Sequence, residues 1–129
     1  LVGSEMCIRD RSMGDWAFWH CQSLKRITFP DRMVRFGEWA FYENESLQSV
    51  CIPEGVTTIP SSAFARCHNL TCVIMPGSLQ TICGGAFSQC HKLTDVTIPD
   101  GVTVIETGAF PSCILIWLSL PVWPLFRRS

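Results

Sequence analysis

LQSVCIPEGVTTIPSSAFARCHN, residues 47–69, decides how this chain is read. Leu47, Val50 and Ile52 run up to Pro53; Val56 and Ile59 follow; Ala63-Phe64 and Cys67 close the unit. The same order returns at a step of 23 residues. Leu24, Leu47, Leu70 and Leu93 keep it, as do Pro30, Pro53, Pro76 and Pro99. So do Ile27, Val50, Val73 and Val96, and also Phe29, Ile52, Met75 and Ile98. Beyond the proline come Met33, Val56, Leu79 and Val102, then Phe36, Ile59, Ile82 and Ile105. Ala-Phe pairs stand at 40–41, 63–64, 86–87 and 109–110, with an earlier copy at Ala17-Phe18. Cys21, Cys67, Cys90 and Cys113 end the units, and Asn44 is the single exception. An internal repeat of this regularity takes precedence over any local reading.

Each part of the unit has a physical role. Leu-x-x-Val-x-Ile ends in alternating apolar residues, which predicts a short strand with one buried face. Proline stops it, having no N–H for the next rung. Val-x-x-Ile is a second short extended or turn segment with two inward side chains. Ser61-Ser62, Gly84-Gly85 and Thr107-Gly108 suit a turn and a helix start. Ala-Phe-x-x-Cys-x-x-Leu then predicts one or two helical turns from its i, i+3 spacing. A single unit cannot bury its own apolar face, but stacked copies can. The expected architecture is therefore a solenoid of about four to five coils (α/β, mostly short parallel strands with short helical turns).

Composition narrows the function. The 129 residues are 47% hydrophobic and 16% charged, with a formal net charge of −1. Such a chain is too apolar for a disordered tail and too neutral for an electrostatic nucleic-acid binder. No apolar run reaches the roughly 18–20 residues of a membrane helix.

The two ends read differently from the middle. Residues 1–11, LVGSEMCIRDR, resemble the translation of a transposon-end sequencing adapter, and such segments are set aside from fold reasoning. On that reading the natural N-terminus is missing and the compartment is not specified. Residues 12–113 hold the repeats. Residues 114–129 are apolar, carry two tryptophans and two prolines, and end in Arg127-Arg128-Ser129. They read as a degenerate last repeat, a cap or a frame-slipped tail. Open coil ends expose apolar core and strand edges, so self-association through them is expected.

The pattern I-P, V-x-x-I and A-F-x-x-C, with cysteine ahead of the next leucine, resembles the BspA-like leucine-rich repeats. The resemblance covers about residues 14–113. It implies a right-handed leucine-rich-repeat solenoid that works by binding other proteins, as surface adhesion proteins of the family do. It does not identify the partner. The concave sheet face of leucine-rich repeats commonly binds partners. Here the outward strand positions are Arg26 and Thr28, Ser49 and Cys51, Cys72 and Ile74, and Asp95 and Thr97. They run from basic through small and apolar to acidic, which suits a mixed protein surface better than nucleic acid.

Other chemistry finds little support. The chain has eight cysteines, seven without Cys7, and an odd count argues against a fully paired disulfide framework. The repeated cysteines are expected inside, as small hydrophobes. No C-x-x-C spacing supports structural zinc, although His68 and His91 could stack at a solvent edge beside Cys67 and Cys90. That rim defines an alternative, a metal- or redox-responsive module; a structural spacer of a larger surface protein is another. No G-x-S-x-G elbow, recurrent carboxylate pair or phosphate loop points to an enzyme. No catalytic residue, metal or cofactor is assigned. Trp16, Trp19 and Trp39 are expected to pack on the N-terminal coils rather than to offer a stacking platform.

Overall fold

Alternation at the end of each Leu-x-x-Val-x-Ile segment produces the strands, and the 23-residue step brings equivalent strands side by side. The computed structural model describes residues 5–7, 12–29, 33–93 and 96–110. Asp95, Cys113, most of the adapter-like segment and all of residues 114–129 lie outside them. The strands are β1 (Glu5–Cys7), β2 (Ser12–Met13), β3 (Arg26–Thr28), β4 (Arg35–Phe36), β5 (Ser49–Cys51), β6 (Thr58–Ile59), β7 (Cys72–Ile74), β8 (Thr81–Ile82) and β9 (Val104–Ile105). They form three parallel sheets, ordered β1-β3-β5-β7, β2-β4 and β6-β8-β9.

Register equals repeat. Ile27 faces Val50, which faces Val73, and Ile59 faces Ile82, which faces Ile105. At the N-terminal side, Ser12 pairs with Arg35 at the full step, whereas Met6 pairs with Ile27 only 21 residues on. The first coil is therefore two residues shorter between its strands.

Stacking converts sequence columns into core columns. Leu24, Leu47, Leu70 and Leu93 are fully buried, as are Ala40, Ala63, Ala86 and Ala109. Phe18, Phe41, Phe64, Phe87 and Phe110 form one continuous stack, with neighbouring centroids 5.0–5.6 Å apart and planes within 13° of parallel. Coils rise by about 4.8 Å, so rings separated by more than that are slid sideways. Offset stacking is the arrangement the ring quadrupoles prefer.

The Ala-Phe segment departs from expectation. Among the described residues no helix forms there. The segment instead makes consecutive turns held by two alternating sets of bonds. Ala40 N–H and Tyr42 N–H bond within the coil, to the carbonyls of Gly37 and Trp39. Trp39, Phe41 and Glu43 N–H groups bond to Ser61, Ala63 and Ala65 in the next coil. The pattern recurs as Ser62, Phe64 and Arg66 donating to Gly84, Ala86 and Ser88. Left-handed residues bracket each segment: Trp16 and His20, Trp39 and Glu43, Ser62 and Arg66, Gly85 and Gln89. A helix would spend every N–H on its own axis, and six residues are too few to recover its nucleation cost. Pairing with the neighbouring coil satisfies the backbone instead.

Side chains add rungs where backbone pairing lapses. Asp15 accepts from Glu38 N–H at 2.9 Å, Glu54 from Gly77 N–H at 2.9 Å and Glu106 from Gly84 N–H at 2.8 Å. Gly37 shows how close the coils come. A Cβ there would lie 2.4 Å from the Asp15 backbone nitrogen and 2.5 Å from the Gly14 carbonyl carbon.

Two stability outcomes follow. Phe64→Ala opens the ring stack at its centre and is expected to cost about 3–5 kcal/mol. Gly37→Ala forces backbone apart and is expected to cost about 1–3 kcal/mol. Chemical denaturation of the purified variants measures both, and unchanged midpoints would contradict the packing described.

Candidate functional site

Strand alternation sends every second side chain of β3, β5 and β7 out of the core. Ile27, Val50 and Val73 point inward and are buried, so their neighbours face solvent. Arg26, Ser49 and Cys72 lie in one cross-strand row, and Cys51 and Ile74 in the next, to which the repeat step adds Thr28. Six of these side chains, Arg26, Thr28, Ser49, Cys51, Cys72 and Ile74, line one open depression of about 260 Å³. Ile74 is 57% exposed, unusually so for a large aliphatic side chain. A second depression continues from Cys72 and Ile74 to Thr97 and Pro99. Seven of the eight outward residues singled out in the sequence are thus placed; Asp95 lies outside the described residues.

The repeated cysteines have a different environment. Cys67 and Cys90 are fully buried. Each donates its thiol hydrogen to a phenylalanine carbonyl of the preceding coil: Cys67 to Phe41 at 3.3 Å and Cys90 to Phe64 at 3.1 Å. Asn44 fills the same place with an amide, giving Nδ2–H to the Phe18 carbonyl at 2.9 Å and accepting Cys21 N–H on Oδ1 at 3.2 Å. The column is therefore a hydrogen-bonding spine as well as apolar filling. Phenylalanine carbonyls in the turn need a donor, and thiol or amide supplies one. The polar role was hidden in the sequence, and its one visible sign was Asn44, since asparagine is not buried without partners.

Burial pushes the Cys67 thiol well above its usual range, Cys90 nearby pushes the same way, and a bond from the Asn44 backbone opposes them. Cys21 and Cys83 are raised too, chiefly by burial.

The turn edge gathers aromatic and imidazole groups. Trp16 stacks on Trp39 with centroids 5.0 Å apart, and Trp39 meets Tyr42 edge-on at 4.8 Å. Trp19 packs edge-on against Trp16 at 5.9 Å. These rings pack on one another at the N-terminal coils, while Trp16 and Trp19 keep 49% and 53% of their surface exposed. His68 and His91 stack at 5.4 Å, and His68 Nδ1 lies 3.9 Å from Glu45 Oε1. His20 Nδ1 is 3.5 Å from Glu43 Oε1. Among the described residues, no group of three or more His, Cys, Asp or Glu side chains is placed to hold a metal ion. No helix among them is long and apolar enough to cross a membrane.

A family model described as "BspA type Leucine rich repeat region" matches residues 9–116 in six copies. No curated protein matches the chain. Solved structures do. The T. pallidum leucine-rich repeat protein TpLRR is 31% identical with a TM-score of 0.82, over 86% of this chain and 55% of its own. A leucine-rich cell surface protein from Faecalibacterium prausnitzii A2-165 is 28% identical with a TM-score of 0.81, over 98% of this chain and 32% of its own. A leucine-rich repeat protein from Bacteroides ovatus ATCC 8483 is 25% identical with a TM-score of 0.80, over 96% and 32%. This chain spans about half the length of the first and about a third of the other two.

The raised Cys67 thiol sets a pH dependence. The folded state keeps this proton longer than the unfolded chain does. Its stabilisation is complete below the ordinary thiol pKa of about 8.5 and declines as pH rises above it. Thermal melts should therefore fall above about pH 8.5, and Cys67→Ala should flatten that fall; an unaltered slope would show that Cys67 does not set it.

Proposed function

The chain belongs to the BspA-type leucine-rich repeat family, and from that premise we propose a non-enzymatic protein-interaction scaffold of the adhesion or recognition kind, working as part of a longer repeat protein. On this reading residues 12–113 are its repeat solenoid, residues 1–11 derive from an adapter even though Glu5–Cys7 pair with β3, and residues 114–129 are a degenerate last repeat, a cap or a frame-slipped tail. The single observation that carries the binding reading is the outward face of β3, β5 and β7. It gathers a cation at Arg26 on β3, small polar groups at Thr28 and Ser49, and an exposed apolar side chain at Ile74 on the edge strand β7 in one depression. Protein interfaces mix apolar and polar groups in this way. Nucleic-acid surfaces need a run of cations, and Arg26 is the one charged side chain among the described residues lining the depression.

Discrimination between faces tests the reading. Cross-linked capture from the source cells should recover a protein that is lost with Arg26→Glu and with Ile74→Asp. Gln89→Glu, a change on the exposed turn edge, should retain it. Equal capture by all three variants would move the binding surface elsewhere.

Self-association, expected of a repeat stack that lacks caps, makes a separate prediction. Sedimentation velocity of the purified chain should show an average mass that rises with concentration. A monodisperse monomer across the range would exclude self-association.

A further inference from the structure

The six cysteines whose side-chain burial is described fall into three environments. Cys67 and Cys90 are buried and bonded to carbonyls, and Cys21 and Cys83 are half-buried. Cys51 and Cys72 alone among them are exposed. Both stand on the outward strand face, on neighbouring strands, in the same depression. Thiol reactivity follows exposure and local charge.

Register decides what the pair can do. Cys51 faces Ile74 and Cys72 faces Ser49, so the two cysteines are diagonal neighbours. Strands about 4.8 Å apart, with about 3.3 Å per residue along each, put such Cα atoms about 8 Å apart. That exceeds the roughly 7 Å limit for a disulfide without backbone movement. The two thiols therefore remain available to an external disulfide. Arg26 faces Ser49 across β3 and β5, which makes it the diagonal neighbour of Cys51. It gives the depression a positive side.

We propose that Cys51 and Cys72 form a thiol-modification site that takes small anionic disulfides, glutathione disulfide being the type, and that Arg26 favours the anionic reagent at Cys51. The thiol first loses its proton to solvent. The resulting thiolate attacks one sulfur of the reagent, a protein–reagent S–S bond forms, and the reagent's own S–S bond breaks. The departing sulfur takes the electron pair and picks up a proton. The cysteine sulfur is oxidised and the departing sulfur reduced, so the step needs no further oxidant. The adduct would occupy the face proposed for partner binding, but the exchange itself does not rest on that reading.

The experiment exposes the full chain to glutathione disulfide, quenches samples with acid and maps adducts residue by residue by mass spectrometry. In the native protein Cys51 and Cys72 should react at least about tenfold faster than Cys67, Cys90, Cys21 and Cys83, and the gap should close in denaturant. Arg26→Glu should slow the reaction of Cys51 with glutathione disulfide and speed it with the cationic disulfide cystamine. Two results would overturn the proposal: native Cys51 and Cys72 reacting no faster than the buried pair, or adducts appearing first on Cys21 or Cys83. An Arg26→Glu protein with the wild-type preference between reagents would remove Arg26 from the site.

Discussion

A coil of parallel chain must hand its peptide groups to its neighbours, because it contains too little regular structure to satisfy them alone. Everything in this molecule answers to that demand. At the strands the bonds run as ordinary parallel ladders. In the Ala-Phe turns, alternate N–H groups cross to the next coil, while those between them close back on the same one. The phenylalanine carbonyls left over receive a thiol from Cys67 or Cys90, or an amide from Asn44. Close approach follows from this pairing, and with it the small alanine column and the continuous stack of rings.

The columns were legible because repetition is a strong signal. Leu47, Val50, Ile52, Val56, Ile59, Ala63, Phe64 and Cys67 were all read as inward, and all are buried. The turn geometry was not legible. Ala-Phe-x-x-Cys has apolar residues at helical spacing, and spacing reports only which side chains share a face. It does not record that Trp39, Glu43, Ser62 and Arg66 adopt left-handed backbone, a conformation favoured by glycine and costly for tryptophan. Glycine at 85 and 108 was the visible trace of that requirement. The outward strand residues were found by the same alternation that found the core, and the described ones line two adjoining depressions. Their partner was never encoded in a pattern, since a mixed surface has no periodicity to read.

Cysteine shows most plainly how position sets chemistry in this fold. One residue type occupies the turn spine and the outer strand face. In the spine, Cys67 loses its water, keeps its proton and serves as a weak donor to a backbone carbonyl. On the strand, Cys51 and Cys72 share an open depression with Arg26. Nothing about the side chain differs; the strand places it outside the stack and the turn places it inside.

The turn ladder has one further consequence, at the level of the gene. Its backbone bonds all run one way, so each turn presents N–H donors to its successor and carbonyl acceptors to its predecessor, while bonds elsewhere in the coil, such as Gln48 N–H to the Lys25 carbonyl, run back in an equally repeated pattern. Any coil can then follow any other, head to tail, without altered chemistry at the joint. Unequal recombination that adds or deletes a whole 23-codon unit yields a continuous stack, whereas a change of one or two codons has to be absorbed within its own coil, as the short step from Met6 to Ile27 is. Length in this architecture can drift over generations while the cross-section stays under selection.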